Sequence, residues 1–180
     1  MLLATLDADT ELRLVESRHA QEVFALVDKN RAHLRRWMPW VDRNDGPPAV
    51  RAWIEARLAD FAAGRGVQTS IVHRGQMIGS CGLHAFDTTN RRSFVGFWID
   101  ADFQGRGFIT ASTRTLVDYA FDELDLNRVE LHAAVENTRS RAVAERLGFT
   151  LEGVYRDAEW IFDHYVDHAV YGMLRREWQE

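Results

Sequence analysis

Cysteine occurs once in the 180 residues, as Cys81, and proline three times. A lone thiol closes no internal disulfide, so packing and hydrogen bonds must hold the fold, and such sparing use of cysteine fits a reducing, cytoplasmic setting. No apolar run reaches the roughly eighteen residues of a membrane span. The opening Met1-Leu2-Leu3-Ala4-Thr5-Leu6-Asp7 has no basic segment, so a secretory leader is not expected. Positive charge is also short: 22 Lys and Arg stand against 27 Asp and Glu, a net charge of −5. That balance argues against a general nucleic-acid binder, which needs a dense cationic surface to neutralise phosphates. It is mildly compatible with a cationic acceptor such as an amine. The histidines His84, His132, His164 and His168 supply no ligand pair on one helix face, so no metal is expected. Repeats, low-complexity tracts and linkers are absent, and the expectation is one domain over residues 1–180.

What is present is an ordinary globular composition, 46% hydrophobic and 27% charged. Glu11 to Val15 reads as a first strand, and Val23, Phe24 and Val27 mark a helix from His19 to about Asn30. A second helix opens at Pro47-Pro48 with Val50, Trp53, Ile54, Leu58 and Phe61 as its buried stripe. Strands at 67–73 and 76–83 flank Arg74-Gly75 as a hairpin, and another strand covers 94–99. Ile109, Leu116, Val117, Ala120, Phe121 and Leu124 recur at helical spacing. Val129, Leu131, Ala133 and Val135 alternate with Arg128, Glu130 and His132, the pattern of a half-buried strand. A short helix near 140–147 and strands near 149–155 and 165–174 complete the order β-α-α-β-β-β-α-β-α-β-β. The 94–99 and 128–135 strands, joined by a long helix, should be parallel neighbours with a right-handed crossover.

Gln104-Gly105-Arg106-Gly107-Phe108-Ile109-Thr110 is the most informative stretch. A glycine turn feeds straight into a helix, whose first N–H groups lack internal partners and lie at the positive end of the helix dipole. Such a turn can seat a pyrophosphate, with Gly105 and Gly107 supplying positive φ and close approach. It can equally be a plain corner. It is not a Walker A loop, since no lysine follows, nor a dinucleotide fingerprint, since Thr110 stands where the third glycine is required.

Together with Asn137-Thr138-Arg139-Ser140-Arg141-Ala142-Val143 and Leu147-Gly148-Phe149, this turn and the element order resemble the GNAT superfamily of acetyl-CoA-dependent N-acetyltransferases. Trp37-Met38-Pro39-Trp40, Phe149-Thr150-Leu151-Glu152-Gly153 and Tyr171-Gly172-Met173-Leu174 are similar to the RimJ/RimL branch, which acetylates N-terminal α-amines of ribosomal proteins. The resemblance runs from Leu12 to about Trp178. It implies an α/β (α+β) fold: a mixed, mostly antiparallel twisted sheet with one splayed parallel strand pair and flanking helices. It implies acetyl-CoA as cosubstrate, with pyrophosphate on the N–H groups from Phe103 to Thr110 and Arg106 adding charge. The family's phosphate loop has glutamine or arginine, two residues, glycine, one residue, then glycine or alanine. Gln104 and Gly107 match, and Ile109 departs from the small residue. Phe97, Trp98 and Ile99 would face pantetheine, which pairs with the open strand edge, and Asn137 would hydrogen-bond it. From sequence alone Asn137 is equally an N-cap, and Phe97 to Ile99 are equally core.

The resemblance also implies the chemistry. The thiolate-serving tyrosine of many members is replaced by Ala144, and the branch's serine, Ser140, would donate to the leaving sulfur. Glu159 would be the base, or else a surface charge on the loop before the last strand. Trp37, Trp40, His84 and Trp160 would line the acceptor side, although tryptophans also simply pack cores. An α-amine of pKa about 7.8 is roughly a tenth neutral at about pH 7, a lysine of about 10.4 far less, so a weak base favours an N-terminus. Rival expectations are a small-molecule amine acceptor (polyamine, amino acid or antibiotic) and a non-catalytic CoA-binding sensor. A homodimer is expected by analogy alone.

Overall fold

The protein is described by a computed structural model covering residues 1–178. Strand formation begins earlier than the pattern indicates. Leu2–Asp7 forms β1, which turns through Ala8 and Asp9 into β2 (Thr10–Leu14). β1 lies at the sheet edge, breaks register with β2 twice and fully buries none of its side chains. A strand that buries so little shows little alternation to read.

Three helices follow: α1 (Ala20–Lys29), α2 (Arg31–Arg35) and α3 (Pro47–Ala62). Both prolines of α3 occupy its first turn, where a missing N–H costs nothing. Val23, Leu26 and Val27 of α1 pack with Val50 and Ile54 of α3, and with Val15 and Met77, into one core on this face of the sheet. The stripe expected on α3 is narrower than its pattern, since Trp53 is 38% exposed.

β3 (Val67–His73) and β4 (Gln76–Asp87) form the expected hairpin. Its two turn residues, Arg74 and Gly75, have φ of 52° and 79°, as a twist-matched two-residue turn requires. β4 runs past Leu83 through a β-bulge. His84 faces Phe94 on β5 (Arg92–Ile99), Asp87 faces Arg92, and Ala85 between them has φ 51°. α4 (Phe108–Asp122) then crosses to β6 (Arg128–Ala134), followed by α5 (Thr138–Arg146), β7 (Thr150–Ile161) and β8 (His164–Leu174). Leu116, Val117, Ala120 and Phe121 of α4 anchor a larger core with Val143 and Ala144 of α5 and the strands beneath.

The eight strands make one sheet in the order β1-β2-β3-β4-β5-β6-β8-β7. Every neighbouring pair is antiparallel except β5 and β6. Their parallel pairing is confined to Arg92–Phe94 opposite Arg128–Glu130. Beyond Phe94 the two strands diverge, and the sheet opens into a wedge.

β7 is longer than its sequence pattern. Between Tyr155 and Glu159 it bulges against β8, with Asp157 at φ 48° and its N–H donating to Asp167 Oδ1 at 2.8 Å. The extra residues break the two-residue period, so the strand looks finished at Tyr155. Glu159 therefore stands on a strand paired with Val166, not on a loop.

Candidate active site

The wedge and the start of α4 share a cleft of about 1000 Å³. Gly105 and Gly107 have φ of 73° and 85°, and Gly107 caps α4 in the left-handed region without any side-chain cap bond. The first α4 amides thus keep their donors for a ligand. Neither glycine is there for lack of room, since a Cβ at either would meet nothing within 4 Å. The turn needs their backbone freedom. It is held from behind by Asp100, fully buried, which accepts from Lys29 Nζ at 2.7 Å and from the Asp102 N–H at 3.2 Å. Burial opposes ionisation of Asp100, but Lys29 and these hydrogen bonds outweigh it and hold its pKa below the ordinary carboxylate value.

Four guanidinium groups line the cleft: Arg106, Arg114, Arg139 and Arg146. Arg106 donates to the Asp102 carbonyl at 2.8 Å, Arg146 to Thr110 Oγ1 at 2.8 Å, and Arg139 to Gln104 Oε1. Gln104 Nε2 lies 2.6 Å from His33 Nε2, and burial, aided by Arg139, lowers the His33 pKa, so its neutral ring accepts from the amide. At the other wall Asn137 Oδ1 accepts the Ser140 N–H at 3.2 Å and caps α5. Free helix-start amides, four cations and an unpaired strand edge suit a long polyanionic ligand with an extended amide arm, the shape of coenzyme A.

A second cavity of about 480 Å³ adjoins the cleft, between α1, α3 and strands β3 to β5. It is walled by valines, Met77, Trp40, Trp53 and Trp98, with His84 and Gly96 on the strands and Arg43 and Asn44 before α3. Trp40 and Trp98 approach with ring centroids 6.4 Å apart. Met38, Phe97 and Trp98 line both cavities, so the two spaces meet beside β5.

The residues expected at the cofactor all line the cleft: Phe97, Trp98, Ile99, the entire turn from Gln104 to Thr110, Asn137 and Ser140. Of the acceptor-side residues, Trp40 and His84 line the second cavity, whereas Trp37 lines the cleft. Trp160 and Glu159 line neither. Trp160 is 52% exposed against the Tyr165 ring, and Glu159 Oε2 lies 3.3 Å from His168 Nε2. Ala144 is fully buried, and the nearby Tyr171 hydroxyl donates to Glu145 and accepts from Arg141. Tyr171 lines neither cavity and so does not replace the missing tyrosine. Arg114, Arg139, Arg146 and His33 had no sequence signal of their own, because arginines on helices read as solvated by default.

The family profile described as "Acetyltransferase (GNAT) domain" matches residues 9–150. A Bacillus subtilis (strain 168) protein named for ribosomal N-acetylation, YdaF, is 36% identical over 172 residues, covering 93% of this chain and 92% of its own. A solved structure of RimL, described as a ribosomal L7/L12 alpha-N-protein acetyltransferase in complex with coenzyme A, superposes with a TM-score of 0.93. It is 26% identical and covers 97% of this chain and 98% of its own. A shorter likeness, 31% identical over 51% of this chain and 53% of the relative, is to the spermidine N(1)-acetyltransferase of Vibrio cholerae. The profile match over most of the chain and the likeness to YdaF along nearly its whole length show that the chain belongs to the GNAT family of acetyl-CoA-dependent N-acetyltransferases.

Proposed function

We propose that the chain acetylates the α-amine of a peptide or protein N-terminus by direct transfer from acetyl-CoA. The observation that carries this reading is the chemistry of the second cavity. No aspartate or glutamate lines it, and its one permanent charge is the cation Arg43. A polyamine brings several ammonium groups, and burying them without carboxylate partners costs far more than the apolar walls return. A peptide N-terminus brings one amine, of pKa about 7.8, already partly neutral near about pH 7. The full-length likeness to the YdaF and RimL proteins supports the same acceptor class, while the spermidine enzyme matches over about half of the chain.

In this reading the cleft holds the thioester beside β5, and the amine enters from the second cavity past Phe97 and Trp98. Ser140 stands across the cleft as the hydroxyl donor to the departing sulfur. Positioning the two reactants supplies most of the rate. Thiol release from acetyl-CoA, measured against free and N-terminally blocked peptides, spermidine and amino acids, tests it. The expected result is release with free peptides that blocking abolishes. Release with spermidine and none of the peptides would overturn the reading.

A further inference from the structure

The acceptor amine must lose a proton, and Glu159, expected as the base, lines neither cavity. The second cavity contains two ionisable side chains, Arg43 and His84. A guanidinium stays protonated at any working pH, so only the imidazole can take a proton there.

Three further observations set His84 apart. It stands immediately before the β4 bulge, where Ala85 adopts φ 51°, a conformation a non-glycine residue rarely takes. Bulges re-aim a side chain and are frequent beside active sites. Gly96, two residues along β5 from Phe94, the residue paired with His84, brings no side chain against the ring. A Cβ on Gly96 would sit 3.5 Å from both Nε2 and Cδ2, so the Nε2 edge of the ring lies over the glycine, and both residues line the second cavity. Finally, six of the seven histidines are engaged: His19 with Arg18 and the Glu16 N–H, His33 with Gln104, His73 with Thr10, His132 with Glu130, His164 with Asp163 and His168 with Glu159. His84 has no side-chain hydrogen bond among the described residues.

We propose that His84 is the catalytic base, its Nε2 taking the proton that the acceptor amine must lose before or during attack. The inference rests on the acceptor reading above. Its charged surroundings suit the task. Burial, then Arg57, lowers the His84 pKa, and Asp60 opposes them. Both lie on α3, where Asp60 is ion-paired to Arg57 at 2.8 Å and to Arg65 at 3.0 Å. Arg43 shares the cavity, and the facing β5 residues, Phe94 and Gly96, carry no charge. The ring is therefore neutral at neutral pH and able to accept a proton. The ammonium of the acceptor gives one proton to Nε2. Its nitrogen lone pair forms the C–N bond to the thioester carbonyl carbon, and the C–S bond breaks with its electron pair left on sulfur. A second proton of the amine nitrogen ends on that sulfur by way of Ser140, giving free CoA and the acetylated amide. The imidazolium returns its proton to water.

The test compares kcat against pH for wild-type protein, His84→Ala and His84→Gln with a free peptide, alongside acetyl-CoA affinity and thermal unfolding. Expected is a kcat loss of about 10²-fold or more near neutral pH. That loss should shrink at alkaline pH, where solution deprotonates the amine. Acetyl-CoA affinity should be unchanged, and added imidazole should partly restore His84→Ala. A loss equal at every pH and deaf to imidazole would mark His84 as structural and overturn the inference. So would near-wild-type kcat in both variants, or the same pH-dependent loss appearing in Glu159→Gln instead. An inactive wild-type protein toward all peptides overturns the acceptor reading itself, a result separable from the other three.

Discussion

Ser140 divides its labour between backbone and side chain. Its N–H closes the N-cap of α5 on Asn137 Oδ1, while its hydroxyl is free to face the cleft it lines. Alanine keeps the cap bond, so Ser140→Ala should fold normally and bind acetyl-CoA as before. Turnover should fall by about 10²-fold, the usual worth of a positioned proton donor. Single-turnover thiol release and acetyl-CoA titration check both halves, and undiminished turnover would remove the serine from the chemistry. Asn137 could be read two ways from sequence, and the cap is observed without spending the side-chain NH₂. His84 shows the opposite limit. Nothing in Gly82-Leu83-His84-Ala85 announces a bulge, because Ala85 is not a residue that advertises positive φ. Arg114, Arg139 and Arg146 were similarly silent, since only the crossing of α4 and α5 near the turn brings them to one wall.

Among the elements, the start of α4 was the most legible, because a strand, two spaced glycines and a helical apolar period are each short-range signals. It also carries the sharpest test. At Gly107, φ of 85° would force any β-branched residue into the left-handed region, costing roughly 1–2 kcal/mol. No protein atom opposes a Cβ there, so the strain, and a side chain facing the ligand space, are what a substitution brings. Gly107→Val should therefore abolish acetyl-CoA binding with only a modest loss of stability, read by calorimetric titration and urea unfolding on the same sample. Retained affinity would displace the pyrophosphate seat from this turn. Edge strands were the least legible elements. β1 and β7 each bury a single face or less, and β7 hides a bulge, so neither shows the continuous buried run that β3 and β4 have between neighbours on both sides. β6 misled in the other direction. Its alternation implied a solvated Glu130, yet that carboxylate is only 5% exposed, held by Arg128 at 2.9 Å and His132 at 2.9 Å.

Across the whole molecule this buried carboxylate ties β5, β6 and β7 together, since Arg92 reaches it at 3.7 Å and Arg128 also grips Glu152 on β7. Burial raises the cost of ionising Glu130, but the bonds from Arg128 and His132 exceed it, and its pKa lies below the ordinary 4.5. Glu152 is lowered by Arg128 as well. A depressed folded-state pKa means the unfolded chain binds protons more readily, so this stabilisation is complete above about pH 4.5 and drains away as pH falls through the folded values. Urea midpoints taken from about pH 7 down to about pH 3 should drop steeply at the acid end. Glu130→Gln should cost about 2 kcal/mol at neutral pH and flatten that acid limb. An unchanged limb would assign the acid sensitivity elsewhere. The same charged knot sits on the three-residue stretch where β5 and β6 pair. The sheet is thus two stiff plates, β1 to β5 and β6-β8-β7, joined along a seam as short as a hinge pin. With the pin at one end and the opening at the other, a ligand arm laid in the gap would act as a removable rung of the ladder, and loading it would make the two plates one.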